Sequence, residues 1–382
     1  MIEDLPRCDV VVIGGGISGL VATTALTRSG LAVRCHEARG RVGGRAHTVA
    51  HALGPIDLGA TWFWPNEPNV LALARELGLG GFRQEAVGDA LLHRQGTAPV
   101  RAGGTGGAPS LRFPRGAQSL AAALADRLPH GALHLADPVR AVESLDDGTI
   151  VVTADSGTQA ARSAIIAVTP ALAVEAIEFT PPLPGPTAQV ALETAVWMGG
   201  TVKAVAVFDE PFWRQRGLSG TAFSSEGPFR EFHDMSGPGG SPAALLAFAA
   251  SDAFVRSDDL ETAFRSQLTR LFGPQAGKPV SVLTADWSRD ERTSPAAPSP
   301  YASTATYGHP VFQNGFAGGR VQWASTETAT DYAGHIEGAI RAGSRAAKDI
   351  VRLLSPQEVQ STNATTVPIR EGGHSRASHP TA

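Results

Sequence analysis

Apolar and polar positions alternate along this chain with two different periods, and those periods divide it into strands and helices. Val10, Val11, Val12 and Ile13 form an unbroken β-branched run, the pattern of a parallel strand covered on both faces. A helical stretch from 17 to about 29 follows a group of glycines, and residues 32–36 predict a second strand. Residues 67–77 have amphipathic helical spacing, 90–100 suit a hairpin, and the segment after Phe113 suits another helix. Short strands are expected near Val139, at 150–152 and from Ile165. Beyond Pro181 come strands at 202–208, 221–224 and 244–248, then a helix over 258–272 with an acidic first turn. Near the far end Val321 and Trp323 fit a strand. Ile336, Ile340 and Ala347 then fit one face of a helix reaching about Leu354. Residues 103–109 are a glycine-rich loop, and the polar composition of 356–382 predicts disorder. No internal repeat is evident.

The spacing at the N-terminus carries chemistry. Gly14, Gly16 and Gly19 follow the first strand as G-x-G-x-x-G and open the first helix at Ile17 and Ser18. One glycine makes a tight turn, one lets backbone approach a pyrophosphate, and one lets helix and strand pack closely. The helix N-terminus supplies free N–H donors and a positive dipole end for phosphate. Glu37 ends the second strand, about 20 residues on, where a carboxylate accepts from a ribose. Strand, glycines, helix, strand and acid in this order predict a dinucleotide site. Ala38, Arg39, Gly40, Arg41, Val42, Gly43, Gly44 and Arg45 come next and add arginines suited to phosphate and glycines that admit a bulky ligand.

With Asp57-Leu-Gly-Ala-Thr-Trp62, the E-A-R-x-R-x-G-G-R run resembles the flavin-dependent, monoamine-oxidase-like amine oxidase family. Residues 320–343, with their T-E-T-A turn before the last helix, resemble the same family's closing flavin motif. The likeness covers most of 8–84 and 111–354. It implies an α/β fold, with a Rossmann-like FAD-binding domain interleaved with an α+β substrate domain built on a mixed sheet. FAD-binding segments are then expected at 1–84, 139–180 and 285–355, a reduced connecting region at 85–138 and the substrate domain at 181–284. FAD would lie against the glycines, Ile17, Ser18, Glu37, Ala38, Arg39, Gly43, Gly44 and Arg45. Gly59, Ala60, Thr61, Trp62, Val139, Trp287, Ser325, Glu327 and Ile336 would complete its site. The family pattern puts Glu327 on the sugar-like chain of FAD and the N–H groups near Ile336 at the flavin, where a helix N-terminus stabilises developing negative charge.

The segment 197–213 resembles the family strand whose lysine reaches the flavin edge through a water and assists reoxidation by oxygen. That assigns Lys203 a catalytic role. Thr201, Lys203, Val205 and Val207 share one strand face, and an apolar setting there would lower a lysine pKa. The chain has only three lysines against 29 arginines, so this one is conspicuous. The family's two cage aromatics correspond to Tyr301 and to His335, a histidine where tyrosine is usual and an acid–base candidate in its own right. Pro300 stands about where some members carry a flavin-bonding cysteine, so FAD should be held non-covalently. The implied reaction passes hydride from the carbon beside an amine nitrogen to flavin N5, and oxygen reoxidises the flavin to give imine and hydrogen peroxide. A desaturase or protoporphyrinogen-oxidase-like activity shares the FAD motifs, and a flavin-holding scaffold is the alternative outside enzymes.

Charge and composition remove other classes. The 382 residues carry a net charge of −4, which offers nothing to nucleic acid or an anionic membrane. Cys8 and Cys35 both fall in predicted strands and read as core thiols, and no metal-binding spacing occurs. No apolar run reaches about 18 residues, and the first strand begins too early for a signal peptide, so a cytoplasmic location is expected. One departure stands out. Larger members carry a helical insertion between the counterparts of Gln84 and Leu111, and here a short glycine-rich stretch replaces it. A more open pocket is expected, one that admits a bulky amine or is closed by a second subunit in a homodimer.

Overall fold

The β-branched run becomes the strand Arg7–Ile13, with Val10, Val11 and Val12 fully buried. A computed structural model describes residues 4–103, 109–254, 260–299 and 302–355. The first sheet is eight-stranded. Its order is Glu178–Thr180, Val139–Ser144, Ile150–Ala154, Gly157–Ile166, Arg7–Ile13, Val33–His36 and Leu133–His134, with Val321–Trp323 beside Gly157–Ile166. Arg7–Ile13 runs parallel to both its neighbours, and Val321–Trp323 is parallel to Gly157–Ile166. The strands from Val139 to Ile166 form an antiparallel meander.

Glycine sets how closely helix and sheet approach. A Cβ on Gly19 would sit 1.9 Å from the Gly14 carbonyl oxygen, so only glycine lets the helix Ile17–Arg28 lie this near the first turn. The closing helix Ile336–Leu354 lies against that first helix. A Cβ on Gly343 would fall 2.2 Å from Ser18 O, and the Ser18 hydroxyl donates to the Ala324 carbonyl. The two ends of the chain thus share one core.

The second sheet is seven-stranded, ordered Ser281–Asp286, Thr201–Phe208, Ala243–Ala250, Phe229–Asp234, Leu218–Ser224, Asp89–His93 and Val100–Ala102. All its pairs are antiparallel except Leu218–Ser224 with Asp89–His93. One face buries Val202, Ala204, Phe232 and Leu245 under Phe264, Leu268 and Phe272 of the helix Leu260–Phe272. The other face packs Val205, Val207 and Leu246 against Ile56 and Leu58. On this second face one row of directly opposed residues crosses the sheet: Lys203, Phe248, Glu231, Phe223, Leu92 and Val100. Opposed residues point to the same face. The row begins buried and ends open, with Phe223 44%, Leu92 38% and Val100 60% exposed.

The fold is the interleaved α/β arrangement expected from the sequence. Residues 85–138 divide between the sheets: Asp89–His93 and Val100–Ala102 belong to the second, and Leu133–His134 to the first. Two strands of the second sheet, Phe229–Asp234 and Ser281–Asp286, had no counterpart in the sequence reading. Cys8 and Cys35 are free thiols, Cys35 fully buried. No helix among the described residues is long and apolar enough to cross a membrane. The expected disorder at 356–382, and Pro300 and Tyr301, lie outside the described residues.

Candidate active site

A cavity of about 780 Å³ runs between the two sheets. It collects residues from both ends of the chain and from the middle. Gly14, Gly16, Ile17, Ser18, Glu37, Ala38, Arg39, Gly43, Gly44 and Arg45 line it, as do Gly59, Ala60, Thr61, Trp62 and Val139. Lys203, Trp287, Ser325, His335 and Ile336 complete the set of expected residues on its walls. Two expected cofactor residues are not on the wall. Gly19 acts behind it, in helix–strand packing. Glu327 is fully buried, and its carboxylate is taken by Arg45 through Nη1 at 2.6 Å and Nη2 at 3.0 Å, while the Trp197 N–H donates to it at 3.2 Å. Both of these partners line the cavity, so Glu327 stands one residue behind its wall.

The walls fit a dinucleotide. Gly16 is the N-cap of the first helix, with no side-chain cap, so the first-turn N–H groups stay free at the cavity. A Cβ on Gly16 would meet nothing within 4 Å, so this surface is open to a ligand. Gly14 holds φ 109°, and its N–H donates to the His36 carbonyl, joining the turn to the end of the second strand. Glu37 accepts the Gly15 and Arg39 N–H groups, each at 2.7 Å, which aims its carboxylate at the turn. The closing helix also starts without a side-chain cap at the cavity. Ser325 Oγ, on the wall just before it, is buried with no partner, a donor or acceptor left for a bound group. Burial alone would lower the Arg45 pKa, but the Glu327 charge and hydrogen bond, with a smaller part from Tyr307, together outweigh it and the pKa is raised, so Arg45 is a permanent cation there.

Lys203 marks the reactive end. Its Nζ donates to Gly59 O at 3.0 Å and to Thr61 Oγ1 at 2.5 Å, and stands 5.7 Å from the Phe248 ring centroid. Burial pushes its pKa down from 10.5 to about 7; Asp57 opposes this and Arg112 adds to it. Asp57 is itself shifted up by burial, against the pull of Lys203. Near neutrality the amine can therefore hold or release a proton. Trp62 is fixed by its Nε1 bond to Gln84, and Trp287 by its bond to the Leu58 carbonyl. His335 lies between the rings of Trp64 and Tyr332 and contacts Glu67. Trp197, Met198, Arg230, Glu231 and Phe248 also line the cavity and are not among the site residues expected above. Phe248 was legible as the lysine's cross-strand partner, since both strands were predicted. Neither cysteine lines the cavity, so no thiol is placed to bond a flavin.

A mixed sheet whose parallel strands carry the glycine turn and acid, joined to a second mixed sheet that brings a buried lysine to the same cavity, defines a dinucleotide-dependent redox enzyme. The family can be stated more narrowly. The chain belongs to the flavin containing amine oxidoreductases, whose family model matches residues 17–102 and 101–351. The match breaks at the glycine-rich loop, where the helical insertion was expected to be missing. AofH of Mycobacterium tuberculosis, named as a flavin-containing monoamine oxidase, is 30% identical over 454 positions, covering 91% of this chain and 97% of that protein. The aligned span has more positions than this chain has residues, so the relative contains stretches with no counterpart here. Flavin-containing amine oxidase B of Sus scrofa is 26% identical, over 91% of this chain and 87% of its own. Among solved structures, cyclohexylamine oxidase from Brevibacterium oxydans superposes with a TM-score of 0.82 at 24% identity, covering 91% of this chain and all of that one. Putrescine oxidase superposes with a TM-score of 0.80 at 23% identity, covering 91% and 99%. Those two likenesses concern the fold. FAD is the cofactor of this chain, and its reaction is the oxidation of an amine.

Proposed function

We propose that this enzyme oxidises an amine carrying a sizeable apolar group, with oxygen as the final acceptor and hydrogen peroxide as a product. The observation behind this reading is the cross-strand row that starts at Lys203 and ends in exposed Phe223, Leu92 and Val100. Five strand spacings separate its ends, about 24 Å. With the helical insertion replaced by a short glycine-rich stretch, the outer half of this row is exposed, while its inner members Lys203, Phe248 and Glu231 line the cavity. Apolar surface of this kind suits the distal part of a substrate whose nitrogen reaches the lysine.

In this reading the chain's residues divide the work. The first helix N-terminus, Gly16, Gly43, Gly44 and Arg45 hold the pyrophosphate, Glu37 the ribose, and Ser325 and the closing helix N-terminus the flavin end. FAD, held there non-covalently, would supply the hydride acceptor and the route for electrons to oxygen. Lys203 holds or moves a proton beside that end, assisted by Thr61. Trp62, Trp64 and His335 orient the amine and exclude water, a task the family resemblance also gives to Tyr301. The two free thiols suit a reducing, cytoplasmic setting.

The test is anaerobic mixing of the holoenzyme with cyclohexylamine, benzylamine, octylamine, putrescine and the common amino acids, following the visible flavin band. Bleaching is expected to be fastest with octylamine or cyclohexylamine and to be reversed by air with peroxide released. Preference for putrescine or for an amino acid would refute the apolar assignment. A second copy covering the exposed row is the competing explanation; a dimeric mass in solution that is lost in a Phe223→Asp variant would favour it.

A further inference from the structure

One wall residue of the cavity is held by a side chain that lies far away in the sequence. His335 Nδ1 stands 2.6 Å from Oε1 of Glu67. The other oxygen of Glu67 accepts the Trp64 N–H at 3.0 Å, and Glu67 is 1% exposed. A buried carboxylate in this position accepts a hydrogen bond from Nδ1–H, which keeps the proton on Nδ1 and leaves the lone pair on Nε2. The ring is flanked by Trp64 at 5.1 Å and Tyr332 at 6.1 Å. Its backbone is pinned as well, with N–H to Tyr332 O at 3.0 Å and the carbonyl accepting from Thr326 Oγ1 at 2.9 Å. About a third of the His335 side chain is open, it lines the cavity, and Nε2 has no protein partner among the described residues.

We infer that Glu67 and His335 form a dyad that takes the proton from the incoming substrate ammonium, an inference that rests on the amine-oxidase reading above. Aliphatic amines arrive protonated near neutrality, since such nitrogens titrate at about 10. An ammonium has no lone pair to support the neighbouring carbon as that carbon loses hydride. In the step, one substrate N–H bond breaks and its electron pair stays on nitrogen. The proton forms a bond to His335 Nε2, and Glu67 faces the imidazolium so created. The step is a proton transfer alone and needs no oxidant or reductant. The nearby charged or titratable groups on the packed elements include Tyr332, Asp331, Arg341 and Glu337. Arg341 stands over the Tyr332 ring and pairs with Glu337 at 2.8 Å and with Asp331 at 4.0 Å, and Glu337 also accepts from the Asn69 and Val70 N–H groups and the Asn69 side chain. Glu67 is thus the group that meets the imidazole directly. His335 is the catalytic residue and Glu67 its positioning residue.

Two measurements on the holoenzyme test this. In the first, anaerobic flavin reduction by octylamine and cyclohexylamine is followed against pH for wild type, His335→Gln and Glu67→Gln. The expected wild-type rate rises with pH along an acidic limb. His335→Gln should lose that limb and fall about 100-fold at neutrality. Glu67→Gln should keep the limb but shift it to lower pH, with KM changing less than the limiting rate. Superposable profiles for all three proteins overturn the dyad. In the second, nitrogen NMR of histidine-labelled enzyme identifies the His335 signal by its loss in His335→Gln. The proton is expected on Nδ1 in wild type and redistributed in Glu67→Gln; a wild-type proton on Nε2 overturns the inference even if no amine is oxidised. A wild-type flavin that no amine bleaches, together with the expected NMR result, overturns the amine-oxidase reading and with it the task assigned here, and leaves the tautomer as found.

Discussion

Replacing Lys203 with methionine should stabilise the protein while harming its chemistry, and the size of the gain follows from the burial of the amine. Folded, Lys203 titrates at about 7; in the unfolded chain it titrates near 10.5. Between those pH values the unfolded chain binds one proton more than the folded one, so stability rises with pH across the window. Below about 7 both states are charged and the fold carries the whole cost; above 10.5 neither does. The gap corresponds to about 5 kcal/mol. Methionine has a similar length and no charge, but the change gives up hydrogen bonds to Gly59 O and Thr61 Oγ1, worth about 2 kcal/mol together. The variant should therefore be about 3 kcal/mol more stable at pH 7, and the advantage should shrink by about 1.4 kcal/mol per pH unit above that. Urea unfolding of both holoenzymes at several pH values from 7 to 10 reads the difference. Parallel curves, or a variant less stable at pH 7, would show that the amine is not desolvated as described. The same variant should reoxidise its reduced flavin more slowly, and an unchanged rate would remove the proposed role of Lys203.

Other expectations follow from the same geometry. Gly16→Ala should fold normally, because its Cβ meets nothing within 4 Å, yet bind FAD at least about tenfold more weakly; flavin release on dilution measures it. Gly19→Ala should lose about 3 kcal/mol, because its Cβ would sit 1.9 Å from a carbonyl oxygen, and equal thermal stability of the two variants would contradict the packing account. Glu327→Gln removes the counter-charge of Arg45, whose side chain is 25% exposed, and should cost about 2–3 kcal/mol, with flavin content falling in parallel. Joint replacement of Phe223 and Leu92 by alanine should raise KM for octylamine several-fold and leave benzylamine unaffected. Equal effects on both amines would detach the exposed row from substrate binding.

The parts of the site legible in the sequence are those built from short-range patterns. Strand, G-x-G-x-x-G, helix and Glu37 lie within one βαβ unit, so spacing alone places them, and the closing strand and helix are equally local. Lys203 was legible because alternation along one strand put it among apolar neighbours. Three features were not legible, each for a physical reason. Phe229–Asp234 reads as polar because it carries Arg230 and Glu231, which line the cavity instead of a core, and His233, which pairs with Glu231. Glu67 meets His335 across 268 positions, and its own neighbours suggested only a helix start. Glu327 was expected at the cofactor, but its pairing with Arg45 across 282 positions was not legible, because it joins two segments distant in the sequence.

The union of the chain's two ends bears on how the enzyme is made. The first helix is complete when residue 28 leaves the ribosome, but it packs on a helix that begins at Ile336. At about 5–20 residues per second, those 300 or so residues take roughly 15–60 s to synthesise. Throughout that interval the glycine turn and the face of the first helix lack their partner, so flavin loading is confined to the finished polypeptide. A transcript broken anywhere before the last helix yields colourless protein. Yellow colour in the cell then reports chains translated to the end.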